Sequence, residues 1–461
     1  MVNVLRQPKG FYRGVFALMA PIILQNLITQ TVALTDTFMV GMLGEQYLAA
    51  VTIAVTPQFI LMIFTFGVQS GLGILVAQYW GKGSISTINR ALGVAVYITM
   101  IVTLGGAFLI HSFPRQLLSL ITNDKTLVAL GAPYARITCF AIALNSISLV
   151  YVSCHRSMEN PRLGVIILSF SSAFSIFWNW VLIFGNLGFP ALGIQGAAIS
   201  TLCARILEVT IISIHAFCNS RFRVKLGLLL KPGMTIFRDF LKYSLPVLLN
   251  EAMWGFGAMM YPVIYGHMSG AQTILAANNI AGNLERIFAV TMFGCGSATA
   301  VIIGREIGAG RQDQVTSVAK SLMALGVFLG LCSGSLLIIT RLTIMEPYVF
   351  PLFGLSPEAA SSATIMLTIL ALVLPLRTIG FTMGIGVMRG GGDVKRLMII
   401  DVGTLYVIAL PLAAFTGLVL RTGITVVYLT ILFEEIVKVT LLYFRVRSNK
   451  WINNVTREQL E

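Results

Sequence analysis

Three charged side chains stand alone in long apolar stretches of this chain: Asp36 in ALTDTFMVGMLG, Glu251 in LPVLLNEAMWGFG and Arg377 in PLRTIGF. None has an opposite charge within one helical turn on its own segment. A lone charge inside a membrane span is costly and usually faces the bundle interior or a water-filled path, so it marks a functional site by default. A carboxylate in a dry site can take up a proton, or it can stay ionised by holding a cation. Either exchange is the handle that an ion-coupled transporter needs. The plainer alternative for Asp36 is a structural acid satisfied by hydrogen bonds. Arg377 also has a second reading, as the counter-charge to Glu251.

The other charges in apolar stretches have local explanations. Arg205 and Glu208 are i,i+3 neighbours, and Glu434 and Lys438 are i,i+4 neighbours, so each pair can neutralise itself on one helix face. Glu285 and Arg286 are adjacent and therefore do not face each other. Asp401 lies near Lys395 and Arg396.

Helices crossing a bilayer must carry these residues. The chain has 461 residues, of which 56% are apolar and 11% charged. Its mean hydropathy is +0.86. A soluble domain is about a quarter charged, and it could not hide this much apolar surface. Twelve apolar stretches of spanning length follow one another, the first at 14–42 and the seventh at 243–267. The expected fold is therefore an all-α integral membrane protein with twelve transmembrane helices. Pro21 and Pro246 should bend the first and seventh. The first stretch is too long for a signal peptide's apolar region and is read as a retained span.

The net charge of +14 does not point to nucleic acid, because the basic residues are sorted by side. Arg6, Lys9 and Arg13, the group from Arg221 to Lys242, and the group from Arg445 to Arg457 share one side with several loops. Only Arg115, Lys125, Arg341 and Arg421 fall in loops on the other side. This asymmetry predicts a multi-pass plasma-membrane protein with both termini cytoplasmic.

The chain also repeats itself. PIILQN at 21–26 matches PVLLNE at 246–251, and LAAVTIA at 48–54 matches LAANNIA at 275–281. The expected division is an N-lobe at 1–219, a cytoplasmic linker at 220–242 and a C-lobe at 243–461. Six spans per half give both halves the same orientation, so the pseudo-two-fold axis runs along the membrane normal. Two such lobes would leave a cleft suited to alternating access. Met39, Trp254, Met259 and Tyr261 are candidate cleft residues, because methionine and aromatic side chains suit promiscuous binding of apolar cations. All four could equally be packing residues.

No nucleophile elbow, phosphate-binding loop or dinucleotide fingerprint occurs, and the six cysteines show no metal-ligand or disulfide spacing. Neither an enzyme nor a built-in ATP motor is expected.

PIILQNLITQTVALTDTFMVGMLGEQYLAAV resembles the first-helix signature of the multidrug and toxic compound extrusion (MATE) transporters, nearest the bacterial NorM/DinF-like members. LPVLLNEAMWGFG and VMRGGGD are similar to that family's seventh helix and the loop after its tenth. The resemblance covers essentially the whole chain. It implies a secondary antiporter that exports cationic, amphipathic compounds as a monomer, needs no cofactor and uses H⁺ or Na⁺ as coupling ion. It also implies that Asp36 is the N-lobe proton or cation site, joined by Asn179 from NWVLIFG and Thr201 from AAISTLCA. Where relatives carry a second acid, this chain has Ile183, which favours H⁺ over Na⁺. Glu251 matches the acid of the C-lobe polar site, while the helix-ten acid is not evident and Arg377 stands nearby. A flippase for a lipid-linked or polar lipid substrate is the alternative, since related two-lobed folds do this. Such a cleft should carry several facing Arg or Lys residues, whereas the deep charges here are mostly acids. A non-transporting receptor is disfavoured.

Overall fold

The computed structural model describes residues 7–8, 10–218, 222–352 and 355–457. Arg6, Lys9 and Arg221 of the basic clusters lie outside the described residues. Among the described residues the regular structure is helical, with no strand, and twelve helices are long. They are α1 (Phe11–Gly41), α2 (Glu45–Lys82), α3 (Ile85–Ser112), α4 (Lys125–Ser157), α5 (Arg162–Phe184), α6 (Ile194–Cys218), α7 (Met234–Gly266), α8 (Ala271–Gly308), α9 (Gln312–Leu352), α10 (Pro357–Met388), α11 (Val394–Val419) and α12 (Ile424–Arg447). All but α7 and α12 are long and apolar enough to cross a membrane on those grounds alone. The two exceptions carry the polar residues of interest: Asn250 and Glu251 on α7, and Glu434, Glu435 and Lys438 on α12.

Local chemistry sets the helix ends. Asp124 caps α4 by accepting from the amides of Thr126 at 2.8 Å and Leu127 at 3.3 Å. Ser356 caps α10 by accepting from the amide of Ala359 at 3.2 Å, with Pro357 at the first helical position. Stretches of wider π-helix interrupt α9 at Arg341–Val349, α10 at Thr382–Met388, and α11 at Thr404–Ala409 and Phe415–Val419. Such segments reposition side chains and are frequent at functional sites.

The chain forms two compact units. One comprises Leu24–Leu248 together with the chain from Arg457; the other comprises the chain up to Ile23 together with Leu249–Thr456. The units differ from the expected lobes, 1–219 and 243–461, at three places: the start of α1, the start of α7 and the chain from Arg457. The start of α1 is counted with the later residues and the start of α7 with the earlier ones. Both divisions fall two residues beyond the helix's proline, Pro21 in α1 and Pro246 in α7.

In the unit Leu24–Leu248, α4 is the central helix, packed against α2, α3 and α6. Polar side chains tie α2 to α4: Gln58 Nε2 donates to Thr138 Oγ1 at 2.7 Å, and Thr65 Oγ1 to Ser146 Oγ at 2.9 Å. Between spanning helices such bonds give specific register, while small residues let backbones approach closely. Gly71 of α2 shows the second device, because a Cβ there would sit 2.7 Å from the Ser244 Cα of α7.

In the unit Leu249–Thr456, α10 is central and packs against α8, α9 and α12. Its core includes Met366, Leu367, Leu370 and Val373 of α10 with Ala277 and Ala281 of α8. The three glycines 390–392 after α10 receive the chain beyond α12. The Trp451 ring is fully buried there, close enough that a Cβ on Gly391 would lie 2.5 Å from its Cε3. The Trp451 indole donates to Val446 O at 2.9 Å, and the Asn453 amide donates to Gly391 O at 2.9 Å.

Candidate functional site: two polar centres within the helices

Asp36 lies five residues before the end of α1 and is half-buried. Its own helix leaves it alone: the hydroxyls of Thr31, Thr35 and Thr37 each donate to a carbonyl one turn back, at 2.9, 2.9 and 2.7 Å. The partner comes from α5, where Asn179 Nδ2 donates to Asp36 Oδ1 at 2.6 Å. Asn179 is 1% exposed, and its Oδ1 has no hydrogen-bond partner. The structure therefore brings together Asp36 and Asn179, the first two expected members of this centre. Thr201 is not bonded to them; its hydroxyl donates to Ala197 O at 2.9 Å, one turn back on α6. Ile183 is buried in the apolar core of the same unit.

One turn beyond Thr201, α6 supplies a residue that the sequence reading set aside as locally paired. Arg205 does hold Glu208, with Nη1 at 2.5 Å from Oε2. It also stands within electrostatic reach of Asp36, as does Tyr134 of α4. Glu208 is fully buried; its Oε2 also accepts from Ser171 Oγ at 3.1 Å, while its Oε1 has no partner. The i,i+3 spacing correctly signalled the Arg205–Glu208 pair. It gave no sign that Arg205 stands near Asp36, because spacing along one helix carries no information about α1.

The second centre lies in the unit Leu249–Thr456, and here the expected pairing is corrected. Arg377 is not the counter-charge to Glu251. Its Nη1 holds Glu285 of α8, and its Nε donates to Glu435 Oε1 of α12 at 3.1 Å. Glu251 is instead held by Arg389, whose Nη2 donates to Glu251 Oε1 at 2.9 Å. Arg389 belongs to the VMRGGGD stretch, at the end of α10. Lys438 reaches both Glu434, at 3.5 Å, and Glu435, at 2.9 Å. Glu434 Oε1 also accepts from Thr404 Oγ1 at 3.3 Å. Asp401 accepts from Asn250 Nδ2 at 3.2 Å and stands within electrostatic reach of Lys438 and Arg389. Glu285 likewise finds its cation on another helix, not in neighbouring Arg286.

This centre thus holds the acids Glu251, Glu285, Asp401, Glu434 and Glu435 against the bases Arg377, Arg389 and Lys438. Each base is engaged by at least one acid. Charges engaged across helices in this way favour one register of α8, α10 and α12.

The four candidate cleft residues separate. Met39 packs within the apolar core of the unit Leu24–Leu248 and is a core residue there. Trp254 is 60% exposed and Met259 is also exposed. Tyr261 is half-buried, with its ring 6.2 Å from that of Tyr265, which in turn stacks on Tyr428 at 6.0 Å.

The family model MatE matches residues 21–181 and 246–415, well over half of the chain. The two matched stretches begin at Pro21 and Pro246, the register of the internal repeat. Among curated proteins, a probable multidrug resistance protein NorM from Thermotoga maritima is 21% identical over 442 residues, covering 95% of this chain and 93% of its own length. An uncharacterized transporter YisQ from Bacillus subtilis is 22% identical over 453 residues, covering 98% and 97%. Among solved structures, a MOP superfamily transporter from Pyrococcus furiosus superposes with a TM-score of 0.85 at 17% identity, over 97% of both chains. An outward-facing multidrug resistance MATE family transporter superposes at 0.86 with 16% identity, over 99% and 98%.

Proposed function

We propose, on the premise that this chain belongs to the MatE family of multi-pass membrane transporters, that it is a secondary antiporter. It exports amphipathic, cationic compounds in exchange for protons taken up at Asp36. The two repeated halves alternate access to the substrate, and both termini lie in the cytoplasm beside the plasma membrane. The chain works as a monomer and needs no cofactor.

The observation that carries this reading is the bond from Asn179 Nδ2 to Asp36 Oδ1 at 2.6 Å. A carboxylate accepts that N–H. A protonated carboxyl needs an acceptor, and the buried, unpartnered Asn179 Oδ1 can serve. One amide side chain can therefore meet both protonation states of its acid. Substrate cation and proton then compete for one negative charge, which is the requirement for exchange.

One feature supports H⁺ over Na⁺: a metal ion needs several converging oxygen ligands, and Ile183 contributes none. The flippase reading gains no support, because Arg377, Arg389 and Lys438 are each engaged by acids.

The test uses proteoliposomes loaded with a fluorescent organic cation, with pH and Na⁺ gradients imposed separately. An inward proton gradient should drive efflux and an inward Na⁺ gradient should not. Efflux under Na⁺ alone would overturn proton coupling, and efflux under neither would overturn antiport.

A further inference from the structure

The segment between α6 and α7 does more than join them. It is fastened along one face of α3. The Lys225 amide donates to Asn89 Oδ1 at 3.0 Å, and Tyr97 Oη donates to Leu230 O at 3.4 Å. Between them, the Leu229 carbonyl lies so close to α3 that a Cβ on Gly93 would sit 2.4 Å from it. Asn89, Gly93 and Tyr97 are spaced one turn apart, so the segment follows α3 for about 12 Å of its length. Phe222, Val224, Ile236 and Phe240 are buried beneath it, and the Val224 amide donates to Ala216 O at 3.0 Å.

What this fastened segment leaves outside is unusual for a water-facing loop. Leu226, Leu230 and Met234 are 53%, 58% and 63% exposed, and Phe237 and Leu241 are exposed as well. Leu226 and Leu230 lie on one short helical turn and Met234, Phe237 and Leu241 on the first turns of α7, with Pro232 and Gly233 between them. Arg223, Lys225, Lys231, Arg238 and Lys242 flank them and are all exposed. Asp239 is the single acid of 222–242, and it is held bidentately by Arg457 at 2.6 and 2.7 Å. The exposed charge of the segment is therefore basic throughout. An apolar stripe edged by basic side chains is the arrangement of elements that lie at a bilayer interface.

We propose that residues 223–242 are a docking surface for anionic phospholipid headgroups, in the leaflet that meets this end of the unit. Leu226, Leu230, Met234 and Phe237 enter the acyl boundary, and Lys225, Lys231 and Arg238 take the headgroup phosphates. The fastening to α3 holds the basic side chains in place before lipid arrives. The charge complementarity selects anionic over zwitterionic headgroups, and the bare leucines select a bilayer over a soluble acidic protein.

Native mass spectrometry of the full chain tests this, with phosphatidylglycerol or phosphatidylcholine added to the detergent-purified protein. Wild type should retain phosphatidylglycerol in clear preference to phosphatidylcholine. Each basic residue near a membrane surface is worth about 1 kcal/mol, roughly fivefold. The triple variant Lys225→Gln, Lys231→Gln, Arg238→Gln should therefore lose that lipid by about 100-fold. Leu226→Ser with Leu230→Ser should weaken both lipids. On wild type alone, raising salt to about 0.5 M should strip phosphatidylglycerol, because screening shortens the reach of exposed charges. Equal retention of both lipids, no salt effect, or undiminished binding by the triple variant overturns the proposal. Displacement by millimolar inorganic phosphate, with the two serine substitutions silent, would show a free-anion site and overturn it too.

Discussion

Arg377 provides a sharp test of how the second polar centre is wired. Its guanidinium bridges Glu285 of α8 and Glu435 of α12. Arg377→Gln removes the charge and leaves Glu285 without its cation, while Glu435 keeps Lys438 at 2.9 Å. Removing one partner of a buried ion pair costs about 3–5 kcal/mol, because the remaining charge is left uncompensated. Lys438 stays in place and the Arg377 and Glu285 side chains are about one quarter exposed, so about 2–4 kcal/mol is expected here. For a unit of this size, each kcal/mol lowers the melting temperature by about 2–4 °C. Thermal unfolding in detergent, followed by tryptophan fluorescence, should thus show a drop of about 4–16 °C. Adding Glu285→Gln to Arg377→Gln should recover most of the loss, since the stranded acid is then neutral. Adding Glu251→Gln should recover nothing, because Glu251 answers to Arg389. A drop under about 2 °C, or equal rescue by Glu251→Gln, would refute this wiring.

Further consequences follow from close packing and from the first centre. Gly71→Ala should destabilise by about 1–3 kcal/mol in the same melting assay, because the added methyl meets the Ser244 Oγ at 1.8 Å and the Ser244 Cα at 2.7 Å. Ser244→Gly should restore only part of that, since the Cα remains. Trp451→Ala should cost about 3–5 kcal/mol, as it empties a fully buried site and removes the bond to Val446 O. Asn179→Ala should cut gradient-driven efflux about tenfold or more with the fold retained, since a hydrogen bond to a charged group contributes about 1.5–3 kcal/mol and Thr201 is committed elsewhere. A near-wild-type rate in that variant would remove Asn179 from the site.

Much of the fold was legible because a span must satisfy its backbone internally and shows itself as a long apolar run. α7 and α12 are weaker signals for a physical reason: Asn250, Glu251, Glu434, Glu435 and Lys438 lower their apolarity. For α7 the internal repeat, which aligns Pro246 with Pro21, compensated for that weakness. Lone charges were legible too, and Asp36 stood out because nothing on its own helix could pair with it. Its contact with Asn179 was reached through a family likeness, since no spacing rule links residues 143 positions apart. In the second centre the i,i+4 pair of Glu434 and Lys438 was legible, and the pairings between helices were missed for that same reason. Glu251 and Arg389 are 138 positions apart, and Arg377 and Glu285 are 92 apart. The stretch VMRGGGD was read as a loop by resemblance, which gave no sign that Arg389 would pair with Glu251. Its glycines make room for Trp451, a use that only the folded chain reveals.

Everything proposed for transport rests on one carboxyl that trades a proton for a cationic substrate. Proton release can be measured directly, by adding an organic cation to the purified protein in weakly buffered detergent and following pH with an indicator dye. Wild type should release close to one proton per bound substrate, and Asp36→Asn should release none. Undiminished proton release from Asp36→Asn would contradict the assignment of Asp36 as the exchange site.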